Sequence, residues 1–314
     1  MRAEPGRRIA LVLGSGGARG LAHIGVIETL QSRGFEVAAV AGSSMGALVG
    51  GVFAAGRLSD YRDWACGLER GDVLRLLDFA FGHPGLIRGE RVIGALRELV
   101  GEHRIEDLPI PYTAVASDLD RQREVWFTRG PLFDAIRASI AIPMVFTPHR
   151  VDGRELVDGG LLAPVPIAAT RAMRADRVFT VDVNSIGPWL PTIAPSDTQA
   201  LADTPRPPDP GNHEGDASGP SLRERMSSLW QGLVERNGSG GAEASKPRGV
   251  MDLMSRALDT MQARVARLQL AMDPPDLQIE IDRHACQFYE FWRAKEMIEI
   301  GRAATLKALD NAGL

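Results

Sequence analysis

Ser44 lies two residues from a glycine on each side, in Gly42-Ser43-Ser44-Met45-Gly46, inside a run without charge. A serine at that spacing between a strand and a helix fits a nucleophile turn, and the competing reading is a small-residue stretch that only packs tightly, since so short a match also arises by chance. The chain must turn sharply, side chains would crowd the flanking positions, and the hydroxyl is left at a helix N-terminus where a developing anion is favoured. A second stretch, LGSGGARGLAHIGV (13–26), is a glycine-rich turn opening a helix, and its free N–H groups suit either a phosphate or a tetrahedral oxyanion. A dinucleotide fingerprint would need glycine where Arg19 stands, and a phosphate-binding P-loop would need a terminal Gly-Lys-Ser/Thr that is absent. The oxyanion reading survives, and it requires a nucleophile close by.

A serine nucleophile also needs a base. None of the six histidines (23, 83, 103, 149, 213 and 284) has a context that marks a triad member, although His23 follows the glycine loop closely enough to be near the site. Asp158 in LVDGGLLAPVP is the stronger candidate, because it ends an apolar strand and Gly159 and Gly160 follow it, baring the turn. The simpler use of an Asp-Gly pair is to shape a turn.

These residues need a scaffold. IALVL (9–13) reads as a strand buried on both faces, and Leu21, Ile24, Ile27 and Leu30 continue it as a helix that Gly34 ends. Residues 37–56 repeat the strand, turn and helix order, so the N-terminal part reads as a parallel α/β sheet. Further strands are expected at 112–117, 124–128, 155–160, 178–183 and 276–282, with helices near 90–100 and 131–139. The uncharged 20-residue stretch 37–56 is long enough to span a bilayer, but its Ala, Gly and Ser content favours a buried strand and helix instead.

Residues 188–249 change character, with prolines at 205, 207, 208 and 210 and a Gly/Ser-rich stretch at 237–249, and read as a flexible insertion. Within it, 221–236 (SLRERMSSLWQGLVER) has capping-box spacing and one apolar stripe. That helix could pack on the core, act as a lid or lie on a membrane surface. The division expected is a catalytic core over 1–187, the insertion over 188–249, and C-terminal helices and a strand over 250–314 completing the core.

The bulk properties limit the function classes. With 44% hydrophobic residues, 24% charged residues and a net charge of −4, the 314-residue chain is ordinary for a globular protein and a poor nucleic-acid binder. Two cysteines, Cys66 and Cys286, lie far apart and outside any metal-ligand spacing, so neither a disulfide framework nor a metal site is expected. The N-terminus has no leader-like structure, and a cytoplasmic location that could include contact with the inner membrane surface is expected.

Taken in order, the glycine-arginine loop at 14–20, GSSMG at 42–46, ASIAIPMVFTP at 138–148 and DGG at 158–160 resemble the patatin-like phospholipase family, especially bacterial members similar to neuropathy target esterase. The resemblance is strong over about residues 7–184 and looser at the C-terminal end. It implies a three-layer α/β/α fold with a mainly parallel sheet and a serine-aspartate dyad without cofactor. Ser44 would be the nucleophile, Asp158 the base, and the N–H groups of Gly16, Gly17 and Ala18 the oxyanion hole. Gly14, Arg19, Gly20, Gly42, Gly46, Gly159 and Gly160 would support the loop and the turns. Arg19 would hold the loop or meet a lipid phosphate, the former being favoured. Ser15 stands where many members have glycine, and ASIAIPMVFTP reads as scaffold beneath the site. The implied activity is hydrolysis of a phospholipid or lysophospholipid ester through an acyl-enzyme. The rival from another class is a nucleotide-binding or regulatory module that uses the glycine loop without chemistry.

Overall fold

The computed structural model describes residues 6–78, 85–186 and 250–314. Two compact units are separable, Met1–Pro188 with Met254–Leu314 and Trp189–Leu253. The fold and site described below belong to the first. The expected insertion at 188–249, with its helix at 221–236, lies outside the described residues.

The central sheet is built from β1 (Arg8–Leu13), β2 (Glu36–Ser43), β4 (Tyr112–Asp118), β9 (Arg177–Ser185) and β10 (Leu277–Asp282), in spatial order β10-β9-β1-β2-β4 and all parallel. Parallel neighbours need crossover connections, and α1 (Ala22–Ser32), α2 (Met45–Ala54) and α7 (Val250–Met272) lie in them. β1 is buried along all but its first residue, as an apolar strand covered on both faces must be. β4 then pairs antiparallel with both β5 (Arg123–Phe127) and β8 (Arg154–Asp158), and β7 (His149–Val151) closes that end. A separate short ladder joins β3 (Gly85–Ile87) to β6 (Met144–Phe146).

One sheet face carries Leu11, Leu13, Phe179, Val181 and Ile279 into the large core under α1, α2 and α8 (Ala294–Ala312). Against the other face, Val12 packs with Val165, Ile167, Ala266 and Leu270, the last two from α7. Helices therefore flank a mainly parallel sheet, which is the three-layer α/β/α architecture. α3 (Leu58–Gly67), α4 (Arg70–Leu76), α5 (Glu90–Val100) and α6 (Leu132–Ser139) complete the described helices of the core. No described helix is long and apolar enough to cross a membrane, and all ten residues of α2 are buried in the core.

The strands and helices expected within the described residues form, with one informative difference. The strand expected over 155–160 ends at Asp158, and Gly159–Leu161 becomes a 3₁₀ turn. The glycines leave the ladder because the Gly160 N–H turns back to bond the Asp158 side chain.

α1 and α8 meet through two glycines. A Cβ on Gly25 would lie 2.0 Å from the Ile298 carbonyl oxygen, and one on Gly301 would lie 2.1 Å from that of Ala22. Neither backbone can retreat without opening the core, so Gly25→Ala should lower the unfolding free energy by about 2 kcal/mol in urea titrations. A loss below about 0.5 kcal/mol, the scale of an uninvolved surface change, would contradict this close approach.

Candidate active site

The site forms where β2, β4 and β8 run side by side. Ser43 is opposite Val115, and Asp158 is opposite the next residue, Ala116, so β4 sets the two sequence-distant segments one register step apart. Because β8 is antiparallel to β4, it approaches from beyond the carboxyl edge and ends there, with Asp158 its last residue.

Ser44 is the residue between β2 and α2, with φ 54° and ψ −123°. This is a conformation that a residue with a Cβ rarely adopts, and the surroundings hold it. The Ser44 N–H donates to Ser139 Oγ at 2.8 Å, and the Ser139 hydroxyl donates to the Val115 carbonyl at 2.6 Å. Behind the turn the backbones are nearly in contact: a Cβ on Gly46 would lie 2.1 Å from the Leu13 carbonyl oxygen, and one on Gly42 would lie 2.4 Å from the Gly46 carbonyl. The two glycines of the motif are thus required by space. Ser43 turns the other way, donating to the Ala163 carbonyl at 2.6 Å.

The Ser44 hydroxyl donates to Asp158 Oδ2 at 2.6 Å. The other carboxylate oxygen, Oδ1, accepts the Gly160 N–H at 2.6 Å, so Asp158 both shapes its turn and faces the serine. Both side chains are buried. Burial pushes the Asp158 carboxyl up to about 7, against the pull of its hydrogen bonds from Ser44 and Gly160.

The glycine loop is held from four directions. Gly14 N–H donates to Val181, Ser15 N–H to Pro164, and Ala18 N–H to the Phe288 carbonyl at 2.8 Å, while Asn184 Nδ2 donates to the Ser15 carbonyl. Ala18, expected among the oxyanion donors, is therefore committed to a carbonyl from the C-terminal region. The N–H groups of Gly16 and Gly17 have no partner among the described residues. Gly17 has φ 56°, and a Cβ there would lie 2.5 Å from the Phe288 oxygen. Gly20 packs directly against Met45, the residue after the serine, linking loop and turn.

Arg19 is buried and its guanidinium donates to Asn184 Oδ1 at 2.7 Å and to the carbonyls of Arg283 and Cys286 at 3.4 Å. Burial lowers its pKa, with partial compensation from the charge of Asp259. Arg19 thus holds the loop to the C-terminal segment. His23 is fully buried and its Nε2 donates to the Gly14 carbonyl at 2.9 Å, with burial lowering its pKa to about 4. A neutral imidazole bonded to the loop backbone holds the loop, and the carboxylate beside Ser44 is that of Asp158.

Sequence reading did not single out Ser139, Asn184 or the Phe288 carbonyl. Ser139 is the one serine in ASIAIPMVFTP, whose other hydroxyl is that of Thr147, and this was the available signal; a carbonyl's role is set by backbone path and has none. Among the described residues there is no group of three or more His, Cys, Asp or Glu side chains able to hold a metal ion.

Comparison with known proteins bears on this geometry. The profile of the patatin-like phospholipase family matches residues 11–171, from β1 through the Asp158 turn. The chain is 41% identical to an "uncharacterized NTE family protein" of Mycobacterium tuberculosis, over 99% of this chain and 93% of that protein. It is 30% identical to lysophospholipase nte1 of Emericella nidulans over 58% of this chain and 12% of that protein. It is also 33% identical to patatin-like phospholipase domain-containing protein 6 of Mus musculus, over 59% of this chain and 14% of that protein.

The raised Asp158 pKa makes folding depend on pH with a definite sign. The folded-state value, about 7, exceeds the ordinary value of 3.8, so the folded protein binds the extra proton and wild type loses stability as pH rises between them. Asp158→Asn lacks this term. Its stability relative to wild type should grow from about pH 4 to about pH 7, by up to about 4 kcal/mol in urea unfolding. A pH-independent difference would contradict the buried carboxyl.

Proposed function

The chain belongs to the patatin-like phospholipase family, and from that premise we propose that it is a serine lipid acyl hydrolase working through a Ser44–Asp158 dyad. The observation that carries this reading is the 2.6 Å hydrogen bond from the Ser44 hydroxyl to Asp158 Oδ2, made between two buried groups. The substrate is a phospholipid or lysophospholipid ester, the latter supported by the fungal relative's name, lysophospholipase.

In acylation, Ser44 Oγ gives its proton to Asp158 Oδ2 as it bonds to the ester carbonyl carbon. The resulting oxyanion lies against the N–H groups of Gly16 and Gly17, with the α2 N-terminus adding favourable potential. The carbon–oxygen bond to the leaving alcohol then breaks, and the proton on Asp158 passes to that oxygen. Water next attacks the acyl-serine and gives a proton to Asp158. Collapse of the intermediate returns it to Ser44 Oγ and releases the fatty acid.

A carboxylate with an ordinary pKa would be a weak base for a serine hydroxyl; one near 7 is matched to neutral pH. The rival nucleotide-binding reading is opposed by Arg19, the one basic side chain of the glycine loop, because it is buried and its two terminal nitrogens donate to protein acceptors.

Ser44→Ala and Asp158→Asn, with folding checked by circular dichroism, should each lower kcat/KM for p-nitrophenyl butyrate and for a lysophospholipid by about 1,000-fold or more. Wild-type kcat/KM should rise with pH and level off above about 7, since the ionised carboxylate is the active form. Wild-type rates in Ser44→Ala would show that the turn is packing alone.

A further inference from the structure

α7 buries one side and leaves the other uncovered by the described residues. Ala266 and Leu270 pack on the sheet, whereas Met254, Leu258, Met261, Val265, Leu268 and Met272 follow at alternating steps of four and three residues. At about 100° per residue these six form one stripe, running about 27 Å along the side away from the sheet. Met254, Met261, Leu268 and Met272 are 49%, 64%, 50% and 84% exposed. Of the nine large hydrophobic side chains exposed among the described residues, five are on this helix. An apolar face concentrated in this way marks a contact surface.

Among the described residues, the charges on the exposed shoulder of the stripe are arginines. Arg256 and Arg264 are exposed on one shoulder of the helix, and neither forms an ion pair among the described residues. Arg267 is exposed on the same shoulder and is attracted to Asp182. The acids at hand are taken by protein partners: Asp259 faces Arg283 and Asp273 faces Arg171. An apolar stripe of Met, Leu and Val beside an arginine shoulder, of which Arg256 and Arg264 have no ion-pair partner among the described residues, is complementary to a bilayer surface carrying anionic head groups.

The placement also fits. α7 leads into β10, which is parallel to β9, so the helix runs opposite to the strands and its Met254 end lies at their carboxyl edge. The dyad and the glycine loop lie at that edge. Arg283, the partner of Asp259 on α7, also gives its carbonyl to Arg19 of the loop.

We propose that the outer face of α7 is the membrane-docking surface of this protein, and that its occupant is an anionic lipid bilayer. The proposal rests on the lipid hydrolase reading for its purpose, and its test is independent of turnover.

The test is flotation of the purified full chain with vesicles of phosphatidylcholine alone or mixed with phosphatidylglycerol, at low and high salt. Wild type should float with the mixed vesicles and lose binding as salt rises. Met261→Glu/Leu268→Glu should lower partitioning by about tenfold or more. Arg256→Gln/Arg264→Gln should lower it roughly fivefold per arginine, on anionic vesicles only. Both variants should hydrolyse p-nitrophenyl butyrate at the wild-type rate, which reports that the fold and site are intact. If the glutamate variant disturbs folding, the arginine variant, altered only at exposed positions, carries the test.

Flotation of the glutamate variant equal to wild type, or no flotation of wild type, would overturn the proposal. So would a wild-type dimer that the glutamate variant dissociates without any vesicle binding, which would assign the face to a second copy of the chain. Vesicle binding by a wild type inactive on every ester would support the docking surface and overturn the hydrolase reading.

Discussion

The register of β4 between its neighbours is the constraint on which the site depends. Val115 is opposite Ser43 and Ala116 is opposite Asp158, so two segments far apart in sequence reach one point through backbone hydrogen bonding. The Val115 carbonyl then accepts from Ser139, whose hydroxyl holds the Ser44 N–H. Gly159 crosses the same carbonyl so closely that a Cβ would lie 2.0 Å from it. A one-residue slip would turn Asp158 to the other face of the sheet and break the contact with Ser44. The placement of these side chains is fixed here by strand pairing.

Burial supplies the second half of the account. Taking the Asp158 carboxyl out of water disfavours its charged form, and two hydrogen bonds recover only part of that loss, leaving a pKa of about 7. The same desolvation that costs stability would, in the proposed dyad, give the carboxyl the basicity that a serine hydroxyl requires. The strained backbone of Ser44 belongs with it. Both are tolerated because the surrounding core of parallel strands and close-packed helices is large enough to hold them.

Much of this was legible in the sequence because its signals are local. An apolar run entering G-x-S-x-G marks β2, the turn and α2, and an apolar run ending in Asp-Gly-Gly marks the end of β8 and the candidate base. Arg19 was expected to hold its loop, and its buried contacts are of that kind. What could not be read depends on contacts between distant parts of the chain. Ala18 was assigned to the oxyanion hole from its place in the loop, but a carbonyl at Phe288 takes its N–H. Ser139 was read as scaffold, which is correct in kind, while its bond to the Ser44 backbone could not be foreseen. The stripe on α7 escaped notice because a helix that buries only the narrow face of Ala263, Ala266 and Leu270 reverses the usual link between apolar residues and the core.

The central claim is that Ser44 is a nucleophile activated by Asp158, and covalent capture tests it most directly. The protein would be treated with a fluorophosphonate across a range of pH, and the modified residue located by peptide mass spectrometry. The account predicts a single adduct on Ser44, a labelling rate that rises with pH to a plateau above about 7, and little labelling in Asp158→Asn. An unmodified Ser44 in folded wild type, or labelling at the wild-type rate in Asp158→Asn, would contradict it.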